Sequence, residues 1–195
     1  MTIIEIPQEL QGMWKKPVDK DMVDHKFYDR PRTIKLNWNR LHTLIPNELT
    51  GKKIKCLDVG SGNGSTLEIL RWYGHDAIGM DYTPNMDNSW RYKSLIDSQG
   101  LNVVCHSGAE VPYPFKNKEF DLLICYGVIT FFKPVENWPK ILDEFARITK
   151  RCILLCVNVG DTYEEGKKYI NNWNHTDFGL EWISGSTYRF VSRNT

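Results

Sequence analysis

Five short apolar stretches punctuate the middle of the chain: IKCLDV from Ile54, AIGM from Ala77, LNVVCH from Leu101, FDLLICY from Phe120 and CILLCVNV from Cys152. Each has the length and apolar richness of a strand, and the segments between them repeat their apolar residues at helical spacing. The runs LLIC and ILLCV lack polar alternation, which reads as strands covered on both faces, as in parallel sheets flanked by helices. After the fifth run a helix is predicted from about Thr162 to Trp173, followed by FGLEWIS, a turn at Gly185 and TYRFVSR, the pattern of a hairpin. The expectation is an α/β fold with a doubly wound, mostly parallel seven-stranded sheet ending in an antiparallel hairpin.

Local punctuation refines these elements. Ser65 and Thr66 are placed to cap a helix that buries Leu67 and Leu70 and stops at Gly74. Pro134 suits the first turn of a helix that turns Val135, Trp138, Ile141, Leu142 and Phe145 inward. Residues 1–50 precede the sheet as an irregular, charged and aromatic arm with a helix over LNWNRLHTLI, either a packing arm or a lid over substrate. Within that arm Tyr28 and Arg30 are the residues to test.

The length of 195 residues and 41% hydrophobic content fit one domain, 1–195, with 51–195 as its core. No apolar span is long enough to cross a bilayer and the first residues lack the features of a secretory signal, so a cytoplasmic protein without a membrane partner is expected. The five cysteines each sit in an apolar run without metal-ligand spacing, which predicts buried free thiols and no metal site. A net charge of +1 gives no basic surface for a phosphate backbone, so no nucleic-acid partner is expected.

The glycines of DVGSGNG, Gly60, Gly62 and Gly64, follow the first strand at the point where open α/β sheets bind ligands. A phosphate loop would need lysine after the last glycine, and the dinucleotide fingerprint would need glycine where Ser65 stands. Asp58, two residues before the first glycine, would repel a pyrophosphate and suits a cationic ligand. Asp81, about twenty residues on at a strand end, suits ribose hydroxyls. A ribose joined to a cationic group describes S-adenosylmethionine.

With LDVGSGNG, GMD from Gly79 and SGAEVPYPFKNKEFDLLICYGVITFF from Ser107, the sequence resembles the class I S-adenosylmethionine-dependent methyltransferases over roughly Lys53 to Val159. It is most similar to their small-molecule branch, which includes ubiquinone and menaquinone methyltransferases. The resemblance implies that Asp58, Gly60, Ser61, Gly62 and Gly64 serve the methionine part, and that Asp81 with Tyr82 holds the ribose. It further implies that Gly108, Ala109 and Glu110 face adenine through backbone groups, and that Tyr126 with Gly127 lines the cofactor floor. Gly108 stands where many relatives carry aspartate, and Phe131 and Phe132 stand where relatives often carry histidine.

The expected function is methyl transfer to an oxygen or nitrogen atom of a small-molecule acceptor, with a non-catalytic binding module as the alternative. No catalytic residue is assigned. His25 and His175 lie where substrate could reach, whereas His75 and His106 read as solvated. The site after the fourth strand, CYGVITFF, has neither the Pro-Pro-aromatic turn nor the Pro-Cys nucleophile of nucleic-acid base methylation.

Overall fold

The computed structural model describes residues 5–8, 10, 30–82, 93–157 and 163–194. Helix α1 (Arg30–Leu44) and the short α2 (Pro46–Thr50) lead into β1 (Lys55–Val59), followed by α3 (Ser65–Trp72), β2 (Asp76–Asp81), α4 (Lys93–Ser98) and β3 (Asn102–Cys105). Then come β4 (Phe120–Tyr126), α5 (Trp138–Ile148), β5 (Thr149–Cys156), α6 (Tyr163–Asn172), β6 (Phe178–Ser184) and β7 (Thr187–Ser192). The predicted runs thus fold as strands, and the sheet has seven of them in the order β3-β2-β1-β4-β5-β7-β6. Strands β1 to β5 pair in parallel, whereas β7 is antiparallel to both β5 and β6. The order reverses between β1 and β4, which opens a crevice at their carboxyl ends.

Successive strand residues point to opposite faces, so each apolar run feeds two cores. On one face Cys56, Leu122, Ile124, Cys152 and Leu154 pack with Ile34, Trp38, Leu41, Ile45 and Leu49 of the front helices and with Leu67 and Leu70 of α3. On the other Leu57, Val59, Leu123, Cys125, Ile153 and Leu155 pack with Trp138, Ile141, Leu142, Phe145 and Ile170. Burial of such side chains contributes about 1.5–3 kcal/mol each. The helix expected from Pro134 begins four residues later: Val135–Asn137 forms a 3-10 turn and Pro139 occupies the first turn of α5.

Two local expectations are corrected. Ser65 and Thr66 do not cap α3; Gly64, at φ +75°, takes the cap position. Both hydroxyls are instead used by Asn37 of α1, whose amide donates to Ser65 Oγ at 2.8 Å and Thr66 Oγ1 at 3.3 Å. Cys105 is exposed while the other four cysteines are buried, because β3 is the edge strand of the sheet.

At the antiparallel end Arg189 of β7 ties the sheet to the front helices. Its guanidinium donates to Glu48 Oε1 at 2.6 Å and to the Leu44 carbonyl at 3.2 Å, and it also pairs with Glu181. Among the described residues no helix is long and apolar enough to cross a membrane.

Candidate active site

The turn after β1 needs glycine for two distinct reasons. Gly60, Gly62 and Gly64 have φ of +75°, +50° and +75°, a region that side chains rarely adopt. At Gly60 a Cβ would also lie 2.6 Å from the Val128 methyl groups, because the loops leaving β1 and β4 meet here. The bare turn therefore sits at the reversal point of the sheet, as the sequence predicts. Ser61 turns its hydroxyl inward, where it is buried without a hydrogen-bond partner against Gly79 of β2.

Asp58 and Asp81 flank this turn. Asp81 Oδ2 accepts the Gly62 N–H at 2.6 Å, and the carboxylate also receives the Tyr82 N–H. Asp58 is 3% exposed and receives the Thr66 hydroxyl. Burial and then the negative charge of Asp81 lift the Asp58 carboxyl to about 8, against the smaller opposing pull of Thr66. Asp81 is likewise raised by burial, in spite of the two amides it accepts. A buried acid raised further by a neighbouring carboxylate is an arrangement that a cation relieves.

The loop 107–115 closes the other side. Tyr113 donates its hydroxyl to the Gly108 carbonyl at 2.6 Å, and its own N–H is accepted by Glu144 Oε1 at 2.6 Å. Arg147 pairs with that same carboxylate and donates to the carbonyls of Tyr113 and Phe115, so α5 carries the loop on a half-buried ion pair. Gly108 is packed under the Phe132 ring, and a Cβ there would overlap the ring. An aspartate at position 108 has no room beside Phe132. Ala109 is half-buried and Glu110 is exposed.

Tyr126, expected to line the cofactor floor, ends β4 on the same face of the sheet as Asp58. Its side chain lies on the α1 face, under the Arg40 guanidinium at 4.2 Å from the ring centre, with its hydroxyl toward Thr187 and Cys156. Burial raises its phenol, then Cys156 adds to the rise and Arg40 pulls the other way. Asn37, Arg40, Thr66 and Tyr126 together line one crevice. Asn37 and Arg40 are not among the residues that the sequence points to, and Thr66 is expected there only as a cap. The available signal was a polar notch in α1, where Asn37 and Arg40 interrupt the apolar positions Ile34, Leu41 and Leu44 at spacings of three or four.

The described histidines fall outside the crevice. His75 is buried, accepting from the Ile54 N–H and donating to the Leu49 carbonyl, rather than solvated as its position after Gly74 suggests. His106 is half-buried and donates to the Glu110 carbonyl. His175 precedes β6 beside Asp177, which pairs with Lys118 ahead of β4, so it stands at the amino ends of the strands, opposite the glycine turn at their carboxyl ends. His25, Tyr28 and the rest of the arm from 11 to 29 lie outside the described residues, as does the side chain of Arg30.

A seven-stranded sheet with this strand order and a bare turn between two carboxylates defines a Rossmann-like α/β architecture with its crevice at the switch point. The model of the methyltransferase domain family matches residues 57–155, about half of the chain, and the chain belongs to that family. Its fold is shared with the PH0226 protein of Pyrococcus horikoshii OT3, at a TM-score of 0.62 and 16% identity over 96% of this chain and 98% of that one. Magnesium protoporphyrin IX methyltransferase from Synechocystis PCC 6803, crystallised with bound S-adenosylmethionine, superposes at a TM-score of 0.60 with 12% identity, covering 95% of this chain and 90% of that one. A methyltransferase from Archaeoglobus fulgidus that depends on the same cofactor gives 0.57 at 17% identity, covering 82% and 93%. The sequence comparison with curated proteins found no match. Class I methyltransferases of this fold take their methyl group from S-adenosylmethionine, the cofactor expected from the sequence.

Proposed function

We propose that this chain transfers the methyl group of S-adenosylmethionine to an oxygen or nitrogen atom of a small molecule by in-line displacement. The observation that carries the reading is the pair of acidic groups, Asp58 and Asp81, around a turn whose three glycines hold positive φ. The residues present fit the cofactor in charge and in shape.

Each end of the crevice supplies one part of the recognition. Asp58, once ionised, meets the positively charged amino-acid end, and the Gly60 to Gly64 backbone allows close approach. Asp81 holds the Gly62 and Tyr82 amides with part of its acceptor capacity and keeps the remainder for ribose hydroxyls. The hydrogen bonds that fix the 107–115 loop leave the Gly108 N–H and the Ala109 carbonyl to read adenine, next to the exposed Glu110.

A methyl group on a sulfonium is already activated, so the protein's contribution is alignment and exclusion of water. Alignment of this kind supplies roughly 7–11 kcal/mol in favourable cases. None of the described histidines reaches the crevice as a base; His42, for example, is held between the Trp38 carbonyl and the Tyr73 hydroxyl. No catalytic residue is assigned for that reason.

Calorimetry with S-adenosylmethionine and with NADH, followed by transfer of isotopically labelled methyl to a panel of small phenols, carboxylic acids and amines, tests the proposal. Tight binding of NADH in place of S-adenosylmethionine would refute it. Binding without transfer to any acceptor favours the non-catalytic module.

A further inference from the structure

Arg40 is a half-buried cation that no carboxylate among the described residues neutralises. The comparable arginines of this protein are neutralised: Arg189 by Glu48 and Glu181, and Arg147 by Glu144. Among the described residues Arg40 forms no ion pair. Its guanidinium rests on the Tyr126 ring and makes one long contact, 3.5 Å, to Asn37 Oδ1. The π face of a tyrosine attracts a cation without cancelling its charge, and most of the five N–H donors of the fork are left for another partner.

The location says what that partner does. Arg40 contacts Asn37, Asn37 donates to Thr66, and Thr66 donates to Asp58. Two side chains therefore separate the guanidinium from the carboxyl that meets the amino-acid end of the cofactor. Asp81 ends β2, whereas Arg40 stands over Tyr126 at the end of β4, on the other side of β1. A methyl acceptor has to approach the sulfur end, which is the Arg40 side. The enclosed part of the crevice there is about 10 Å³, the room of a single water, so an acceptor would meet Arg40 from its open, solvent side.

We infer that Arg40 is a specificity-determining residue that holds an oxyanion of the methyl acceptor, a carboxylate or a phosphate, over Tyr126 at the carboxyl ends of β4 and β5. The fork of a guanidinium matches either group with two parallel hydrogen bonds, and a neutral acceptor leaves the cation unpaired. This inference rests on the proposed methyltransferase reading.

The test uses the full chain loaded with S-adenosylhomocysteine and titrated calorimetrically with benzoate, phenyl phosphate and the neutral benzamide. Saturable binding of at least one anion, no binding of benzamide, and a loss of about tenfold or more in Arg40→Met with a smaller loss in Arg40→Lys are expected. Preference for benzoate over phenyl phosphate, or the reverse, identifies the oxyanion. Absence of saturable binding by both anions, or equal binding in Arg40→Met, overturns the inference. S-Adenosylhomocysteine affinity is measured in both variants first, and anion binding is compared at saturating S-adenosylhomocysteine, so that a change at Asp58 passed through Asn37 and Thr66 is separated from the loss of the anion site. Failure of the wild type to bind S-adenosylhomocysteine at all is a failure of the methyltransferase reading itself, and is seen before any anion is added.

Discussion

Cofactor binding should release a proton from Asp58. In the free protein burial and the neighbouring Asp81 hold this carboxyl near 8, so at neutral pH it is mostly protonated. Only its ionised form attracts an ammonium group. With a value of about 8, the ionised fraction is about 1% at pH 6 and about 24% at pH 7.5, so affinity should rise about 25-fold over that interval. S-Adenosylhomocysteine, which carries the same amino-acid end and is unreactive, is the suitable ligand. Calorimetry in two buffers of different ionisation enthalpy should show close to one proton released at pH 6.5, and Asp58→Asn should lose both the slope and the release. The empty protein provides an independent measure. A folded-state value raised above the unfolded one of about 3.9 means that the native state keeps a proton the unfolded chain has given up, so stability falls as pH rises from about 4 to about 8. The contribution between pH 4 and 7 is on the order of 4 kcal/mol, and the denaturation difference between wild type and Asp58→Asn should follow that course. An affinity that is flat from pH 6 to 7.5 in the wild type, or a slope that persists in Asp58→Asn, refutes the reasoning.

The remaining expectations concern the loops around the crevice. Tyr113→Phe strips the buried Gly108 carbonyl of its partner, so unfolding by denaturant should show a loss of about 1–3 kcal/mol and S-adenosylhomocysteine should bind more weakly. Burial alone would raise the Glu144 carboxyl, but the hydrogen bond and charge of Arg147 and the Tyr113 N–H together lower it. Its stabilisation is therefore present above the unfolded value of about 4.3 and lost as pH falls further, and Glu144→Gln should flatten that acid limb of a stability curve. Gly60→Ala forces a side chain into the left-handed region and onto Val128, with an expected loss of at least about 1–2 kcal/mol in chemical denaturation. Asp81→Ala should abolish measurable cofactor binding, and amide exchange at Gly62 should speed up because its acceptor is gone.

The central strands were legible because each is a run of apolar residues covered on both sides, a signal local to the run, and FDLLICY and FGLEWIS fold as strands over the residues read. What escaped depends on partners distant in the chain. The Ser65 and Thr66 hydroxyls look like caps until Asn37, in a helix nearly thirty residues earlier, is seen to claim them. His75 looks solvated until β2 is set beside α2, which places the Leu49 carbonyl against its ring. Cys105 looks buried because its run is apolar, and only strand order shows that β3 has a free edge. The glycine turn and its two carboxylates were legible because they lie close in sequence and at the ends of strands. Asn37 and Arg40 were not, because a polar residue on a helix reads as solvated until the surface it faces is known.

The Arg189 clamp makes the last strand a condition for the first helices. Its bonds to Glu48 and Leu44 span more than 140 positions of sequence. During synthesis the front of the chain leaves the ribosome long before β7 exists, so α1 and α2 have to wait for the final residues before this tie can close. Contacts of such long range slow folding and leave apolar surface uncovered meanwhile. Arg189→Met should therefore do more harm to the yield of folded protein in cells than to the stability of what has already folded.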